Sequence, residues 1–417
     1  MIEHFFVQTP VVARLRGGPL GPYLDDLATT LHQQGYAPSS IQLCLRTGDL
    51  FGRWRQGQSH DVTKIDEAVI QRYVTGLERY RSGHLPKAAQ GLQHVVGLLQ
   101  RQGFLINQPS LPPVDQWLVE YDTHLEQVAG LALSTRQSYG RMVRRFITAC
   151  YGEQRPNWQA VTAPIVTAFV SQEAAKCQGY GRQMPSIAVR SFLRVLVFRG
   201  EIKPGLEAAA PIPPQWQHAS LPPRLTSEDV ERVLAVYSDD TATSRRNRAM
   251  LLLLARLGLR AQEVVALCLD DIDWYASRVC IRPGKTHQAR HLPLTQEVGH
   301  ALAAYVKEGR PQSDSRRVFL QCRPPFRPCT TNGTIRWMVR QAFQSAGMAM
   351  HPRTGSHMFR HSAASHMLNR GASFKEVADV LGHRSLQTTG IYAKLELDAL
   401  ADIALPWLGG AQCPQTF

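Results

Sequence analysis

Apolar residues recur through most of this chain three and four positions apart, with polar residues between them, which predicts a mainly helical protein. Two proline-rich stretches interrupt the pattern, NQPSLPP at 107–113 and the run from Lys203 through PIPPQWQHASLPP to Pro223. Proline fixes φ and disfavours helix in the residue before it, so both stretches predict linkers. They divide the 417 residues into a helical domain at 1–110, a second at 111–205, a Pro-rich linker at 206–220 and a third part at 221–417.

The first two parts are alike. Phe51 aligns with Phe146, Ile65 with Val161, Ile70 with Val166, Tyr73 with Phe169 and Gly103 with Gly200, at an offset that drifts only from 95 to 97 residues. Each part ends in an apolar helix, LQHVVGLLQRQG or VRSFLRVLVFRG, that stops at a glycine able to take left-handed φ. Duplication of one helical module accounts for this. The alternative, two small helical domains that align loosely, stays open.

The third part is mixed. TSED at 226–229 has the spacing of a capping box, and AMLLLLARLG predicts a buried helix ending near Gly258. Val279–Ile281 and His291–Leu294 flank a polar turn from Gly284 to Arg290, the pattern of a β-hairpin with a long tip. After Gly355 helical spacing returns. SFKE at 373–376 forms another capping box, and its helix should stop at Gly382.

Charge narrows the partner. Lys and Arg number 47 against 33 acids, a net +14 before any histidine protonates. That balance favours a polyanion, because each neutralised phosphate releases counterions. A protein that is basic without binding nucleic acid is the alternative. The eight cysteines are scattered without a C-x-x-C pair, so neither a disulfide framework nor a zinc site is indicated. No signal-peptide core opens the chain and no apolar run is long enough to span a bilayer, so a cytoplasmic location without a membrane partner is expected.

In order along the third part stand Arg260, Lys285, His357, Arg360, His383 and Tyr392. His357 and Arg360 are three apart on a predicted helix and share a face. Arg260 follows Gly258 at a helix–helix turn, from which a long side chain can reach into a cleft. Phosphodiester cleavage has a use for this set. Two guanidiniums can spread the charge that develops on the non-bridging oxygens. A tyrosine hydroxyl attacks once a base or nearby cations help it, and a lysine ammonium can protonate the leaving 5′-oxygen. Such chemistry needs no metal, and neither a two-metal carboxylate cluster nor a G-x-x-x-x-G-K-[ST] loop is present, so no cofactor is expected. Each residue alone has a plainer reading: Arg260 as a salt bridge to Glu263, Lys285 as a solvated turn, His383 as a helix cap, Tyr392 as a half-buried packing residue.

Four segments resemble the tyrosine recombinase (phage integrase) family, in that family's order: ARLGLRAQEVVAL (255–267), PGKTHQARHLPL (283–294), HMFRHSAASHML (357–368) and LGHRSLQTTGIYAK (381–394). The last is the most specific, since LGH followed at fixed spacing by TT and Tyr is hard to meet by chance. The resemblance implies a mainly α fold with a small β-sheet, in which tandem helical core-binding-type domains precede an α+β catalytic domain. Carried over position by position, Arg260 and Arg360 are similar to the phosphate-binding arginines and Lys285 to the hairpin general acid. His357 and His383 match the two histidines that aid binding and proton transfer, and Tyr392 matches the nucleophile. Glu263 resembles the acid that orients the first arginine. The hairpin departs from the usual G-K-G pattern, with Thr286 and Gln288 where the family has glycine and a second lysine.

By the same resemblance, 111–205 is a core-binding domain that clamps double-stranded DNA. Arg136, Tyr139, Arg141, Arg144 and Arg145 on STRQSYGRMVRRF, with Arg190 and Arg194 on the domain's last helix, are its candidate contacts; a solvated basic face is the alternative. The domain at 1–110 would extend the footprint or meet a neighbouring subunit. The tail after Tyr392 would dock on its own domain or on a neighbour. Implied partners are DNA and a homo- or hetero-tetramer on it, including partner recombinases. The expected activity is site-specific recombination or integration, or integrase-like transposition, through a 3′-phosphotyrosine and a Holliday junction. A type IB topoisomerase and a catalytically silent architectural protein are the alternatives.

Overall fold

Helical spacing in the first half of the chain becomes α1 (Thr9–Arg16), α2 (Gly21–Gln33), α3 (Pro38–Gly57), α4 (Glu67–Tyr80) and α5 (Leu85–Arg101), then α6 (Pro113–Gln127), α7 (Leu133–Tyr151), α8 (Ala163–Ala175) and α9 (Met184–Phe198). The computed structural model describes residues 1–58, 67–80, 85–103, 112–152, 154–177, 179–213, 225–283, 289–350 and 354–382. Two compact units result, Met1–Thr29 with Pro38–Gln217 and Thr30–Ala37 with His218–Phe417.

In the first unit α3 packs on α5 as α7 packs on α9. An aromatic pair marks the same place in both sets: Phe51 and Tyr73 meet edge-on at 5.0 Å, Phe146 and Phe169 at 5.1 Å. The closing glycines also match, with φ +78° at Gly103 and +74° at Gly200. Val166 is fully buried and Ile70 is half-buried; Ile65 lies outside the described residues.

Prolines misplace one boundary. Of NQPSLPP, Pro112 and Pro113 are described, and they open α6, a position where proline's fixed φ and missing N–H cost nothing. Leu206–Ala209, expected in the linker, forms a 3₁₀ turn against α9. Ala210 is fully buried, and its carbonyl accepts from Ser186 Oγ at 3.3 Å and Arg190 Nη2 at 2.8 Å. These small side chains complete the helical core, so residues 206–210 are not linker. Residues 214–220 lie outside the described residues.

The second unit carries α10 (Ser227–Ala235), α11 (Ala242–Arg256), α12 (Ala261–Ala266), β1 (Ile272–Asp273), β2 (Arg278–Ile281), β3 (Arg290–Pro293), α13 (Gln296–Ala304), α14 (Asn332–Ser345), α15 (Ser356–Asn369) and α16 (Phe374–Leu381). Both capping boxes form, Thr226 with Asp229 and Ser373 with Glu376. The hairpin is β2–β3, antiparallel, and β1 adds a short outer strand that alternation over two residues could not announce. At the centre is α11, whose Met250–Leu254 run is fully buried on every side. It packs on α10, α12, α13, α14 and α15. A smaller cluster of Ala364, Leu368, Val377 and Leu381 seats α16 on α15.

Gly258 ends α11 at φ +62°, where a Cβ would stand 2.6 Å from Leu381 Cδ2. Left-handed strain and overpacking therefore act together. Gly258→Ala should destabilise the protein by about 2–4 kcal/mol, seen as a lower urea midpoint with an unchanged slope.

Candidate active site

Arg260 stands at the N-cap of α12, two residues beyond the left-handed Gly258 and next to the fully buried Leu259. Its backbone N–H donates to Glu263 Oε2 at 2.9 Å and its Nη1 to Glu263 Oε1 at 3.0 Å. The carboxylate thus folds back on a helix N-terminus, the end that favours negative charge. Arg290, the first residue of β3, donates to the same carboxylate, Nη1 to Oε1 at 3.1 Å and Nη2 to Oε2 at 2.8 Å. Burial alone would raise the Glu263 pKa. The Arg290 hydrogen bond, the Arg260 N–H and both guanidinium charges outweigh it and hold the carboxyl below its usual range.

All three guanidiniums then meet the C-terminal end of α16. Arg290 Nε donates to the Val380 carbonyl at 2.9 Å, Arg360 Nη2 to Leu381 at 2.6 Å, and Arg260 to Leu381 at 3.4 Å and Gly382 at 3.1 Å. The last carbonyls of a helix lack intrahelical partners and carry the negative end of its dipole, so cations belong there. Arg260 and Arg360 reach the same Leu381 oxygen and therefore lie side by side. Arg360 also holds the Gly258 carbonyl at 2.7 Å and is buried, whereas the Arg260 side chain keeps 28% of its exposure and is the open member of the pair.

His357 lies three residues before Arg360 on α15, on the same face. Its edge is open to solvent, yet surrounding protein first, then Arg360 and Arg260, lower its pKa, which favours the neutral imidazole. Lys285, His383 and Tyr392 lie outside the described residues. By chain position Lys285 belongs to the connection between β2 and β3, and His383 directly follows Gly382. The plainer reading of Arg260, a salt bridge to Glu263, is realised, and the same guanidinium also reaches the Leu381 and Gly382 carbonyls. Among the described residues no group of three His, Cys, Asp or Glu is placed to hold a metal ion.

Residues 223–397 match the phage integrase family. A protein of Sinorhizobium fredii named as integrase/recombinase y4rA is 36% identical over 415 residues, 99% of this chain and 100% of its own. The chain belongs to the phage integrase family of tyrosine recombinases. The tyrosine recombinase XerD of Mycobacterium tuberculosis is 31% identical and covers 69% of this chain and 95% of its own. A solved lambda integrase(75–356) dimer bound to a COC′ core site shares the fold, with a TM-score of 0.51 over 67% of this chain and 94% of that one at 17% identity.

In this tyrosine recombinase the basic helix α7 is largely neutralised by its own domain. Arg136 is buried and paired with Asp122 at 3.0 Å and Glu126 at 2.9 Å, so it is a structural cation rather than a free one. Arg144 pairs with Asp115, and Arg145 with the buried Glu173 at 2.6 Å. Arg190 is committed to the Ala210 carbonyl and Tyr139 packs against the core. Arg141 and Arg194 are exposed. The sequence favours the α7 residues over Arg190 and Arg194, but a count of charges cannot show which arginines meet carboxylates.

Sequence reading also misses two features. Arg290 faces inward with Leu292, its i+2 neighbour on β3, and an inward arginine demands a buried acid. The other is a basic face on α14. Between Asp314 and Glu376 no acidic residue occurs. Within that span Arg336, Arg340 and the 58%-exposed Trp337 share the outer side of α14, with exposed Arg323 and Arg327 in the loop before it. Among the described residues none of these four arginines is paired with a carboxylate. The acid-free run was readable signal.

His361, one turn after His357, has its pKa pushed down to about 4, by burial first and then by His357 and Arg360. An unfolded imidazole protonates near 6.5, so the unfolded chain gains the proton first as pH falls. This contribution to stability is complete above about pH 6.5 and is lost on descent toward about pH 4. Urea unfolding across that window should show a shallower pH dependence for His361→Gln than for the wild type.

Proposed function

We propose that this protein is a site-specific DNA strand transferase, an integrase or recombinase that cleaves and rejoins DNA with Tyr392 as nucleophile. The observation that carries the reading is the side-by-side pair Arg260 and Arg360 on one carbonyl oxygen, with the electrostatic influence of both reaching His357. Two fixed guanidiniums stabilise a phosphorus centre whose equatorial oxygens gain charge on becoming five-coordinate.

In the proposed reaction Tyr392 Oη attacks the scissile phosphorus while the bond to the 5′-oxygen breaks. Lys285 gives that oxygen its proton, and the strand is held as a 3′-phosphotyrosine. Arg260 and Arg360 bind the non-bridging oxygens, and His357 and His383 assist in holding the phosphate and moving the tyrosine proton. A 5′-hydroxyl from the exchanged strand reverses the step, resealing the backbone and releasing Tyr392. The phosphodiester bond energy is retained, so the reaction needs neither ATP nor a metal. By family resemblance the reaction runs in a tetramer on duplex DNA, homomeric or with partner recombinases, through a Holliday junction.

Affinity for duplex comes from the unpaired arginines. On α14, Arg336 and Arg340 suit phosphates, and Trp337 between them offers an apolar surface to sugar or base. Arg141 and Arg194 remain available on the helical unit; Arg144 and Arg145 would first have to exchange a carboxylate for a phosphate. The module at 1–110 is read as a duplicate of 111–205. At the offset set by Phe51 and Phe146, Asp49 and Leu50 stand where the second copy has Arg144 and Arg145. Asp49 is buried between Arg14 and Arg53. That loss of basic character favours a protein contact over a DNA contact for the first copy.

Incubation with randomised duplexes carrying a nick, which lets a short fragment escape after cleavage, traps the covalent complex. The wild type should give a 3′-phosphotyrosine adduct with an enriched sequence, and Tyr392→Phe should give none. An adduct on any supercoiled DNA without sequence enrichment would favour a topoisomerase; DNA binding without an adduct would favour an architectural protein. In salt titrations of duplex binding, Arg336→Ala and Arg340→Ala should each reduce the slope by about 1.

A further inference from the structure

Arg290 has no place in the reaction as written, yet three pieces of the site meet on its side chain. We infer that Arg290 is a positioning residue for the strand-transfer reaction proposed above, holding Arg260 in register through Glu263. Its Nη1 and Nη2 grip both oxygens of Glu263, and its Nε holds the Val380 carbonyl. Each Glu263 oxygen that receives Arg290 also receives Arg260, Oε1 from the side chain and Oε2 from the backbone N–H.

This sharing is what gives the contact its function. A partly exposed arginine paired with an acid three residues along its own helix is a weak and mobile contact. Glu263 cannot rotate without breaking the Arg290 fork, so Arg260 inherits an orientation fixed from outside its own helix. The side chain of Arg290 is only 11% exposed, which protects the fork from water and salt. Gly382 leaves it room, since a Cβ there would come within 2.8 Å of Arg290 Nη1. Arg290 also pairs in register with Ile281, the last ladder pair before the hairpin's connecting loop, so one residue ties the strand leading from Lys285 to the α12 N-terminus and the α16 C-terminus. A lysine would keep the charge but lose the planar two-pronged grip.

Single-turnover cleavage of the nicked duplex selected by the wild type tests this, with two versions of the scissile group. One is the ordinary diester; the other is a methylphosphonate, in which a neutral methyl replaces one non-bridging oxygen and asks less of Arg260. Arg290→Gln should slow the diester by about 10- to 100-fold and the methylphosphonate by no more than about threefold, the scale expected when a reacting group is misplaced by an ångström or less. Duplex affinity should match the wild type, Arg290→Lys should recover only part of the rate, and the double variant Glu263→Gln/Arg290→Gln should be no slower than the slower single variant. Equal slowing of both substrates, additive losses in the double variant, or full activity in Arg290→Gln would overturn the inference while leaving the strand-transfer reading intact. The wild-type adduct is scored first, because its absence sinks that reading and this inference together.

Discussion

The last carbonyls of α16 are the constraint on which the catalytic unit depends. A helix end must find donors or leave desolvated acceptors, and here three arginines from three separate elements supply them. Hydrogen bonds from charged donors are worth roughly 1.5–3 kcal/mol each, more than an exposed ion pair contributes. The same bonds fix where α12 begins, how β3 lies and which way Arg360 points from α15. The stretch that carries His383 and Tyr392 starts at the residue after this knot, so its point of departure is set by the same contacts.

Charge within the knot is unbalanced on purpose. One carboxylate, Glu263, serves Arg260 and Arg290, while Arg360 donates to the Gly258 and Leu381 carbonyls. His357 and His361 lie beside this cluster with lowered pKa values, so neither adds positive charge near neutral pH. Among the described residues three guanidiniums thus share one carboxylate, a balance that suits an anionic phosphate.

The helical unit shows the reverse arrangement. Its arginines on α7 look like a DNA face in the sequence, yet Asp115, Asp122, Glu126 and Glu173 meet most of them. On α14 a shorter basic series meets no carboxylate among the described residues, and no acid lies near it in sequence. The field a ligand meets depends on the placement of both signs, and composition reports only their sum.

Much of this protein was legible before any fold was known. Capping boxes at 226–229 and 373–376, the glycine stops at 258 and 382 and the β2–β3 hairpin all follow from local periodicity and backbone chemistry, which act over a few residues. Arg260, His357 and Arg360 stand out in the sequence because they lie at local spacing in recognisable segments. Tertiary structure alone decided that Arg260 and Arg360 share the Leu381 oxygen, that Arg290 clamps Glu263, that Arg136 is spent on two carboxylates and that Leu206–Ala210 close a core instead of linking two. Each of these joins segments distant in sequence. Side-chain pairing across such distances leaves no periodic trace, because a residue's partner is chosen by packing and not by its neighbours along the chain.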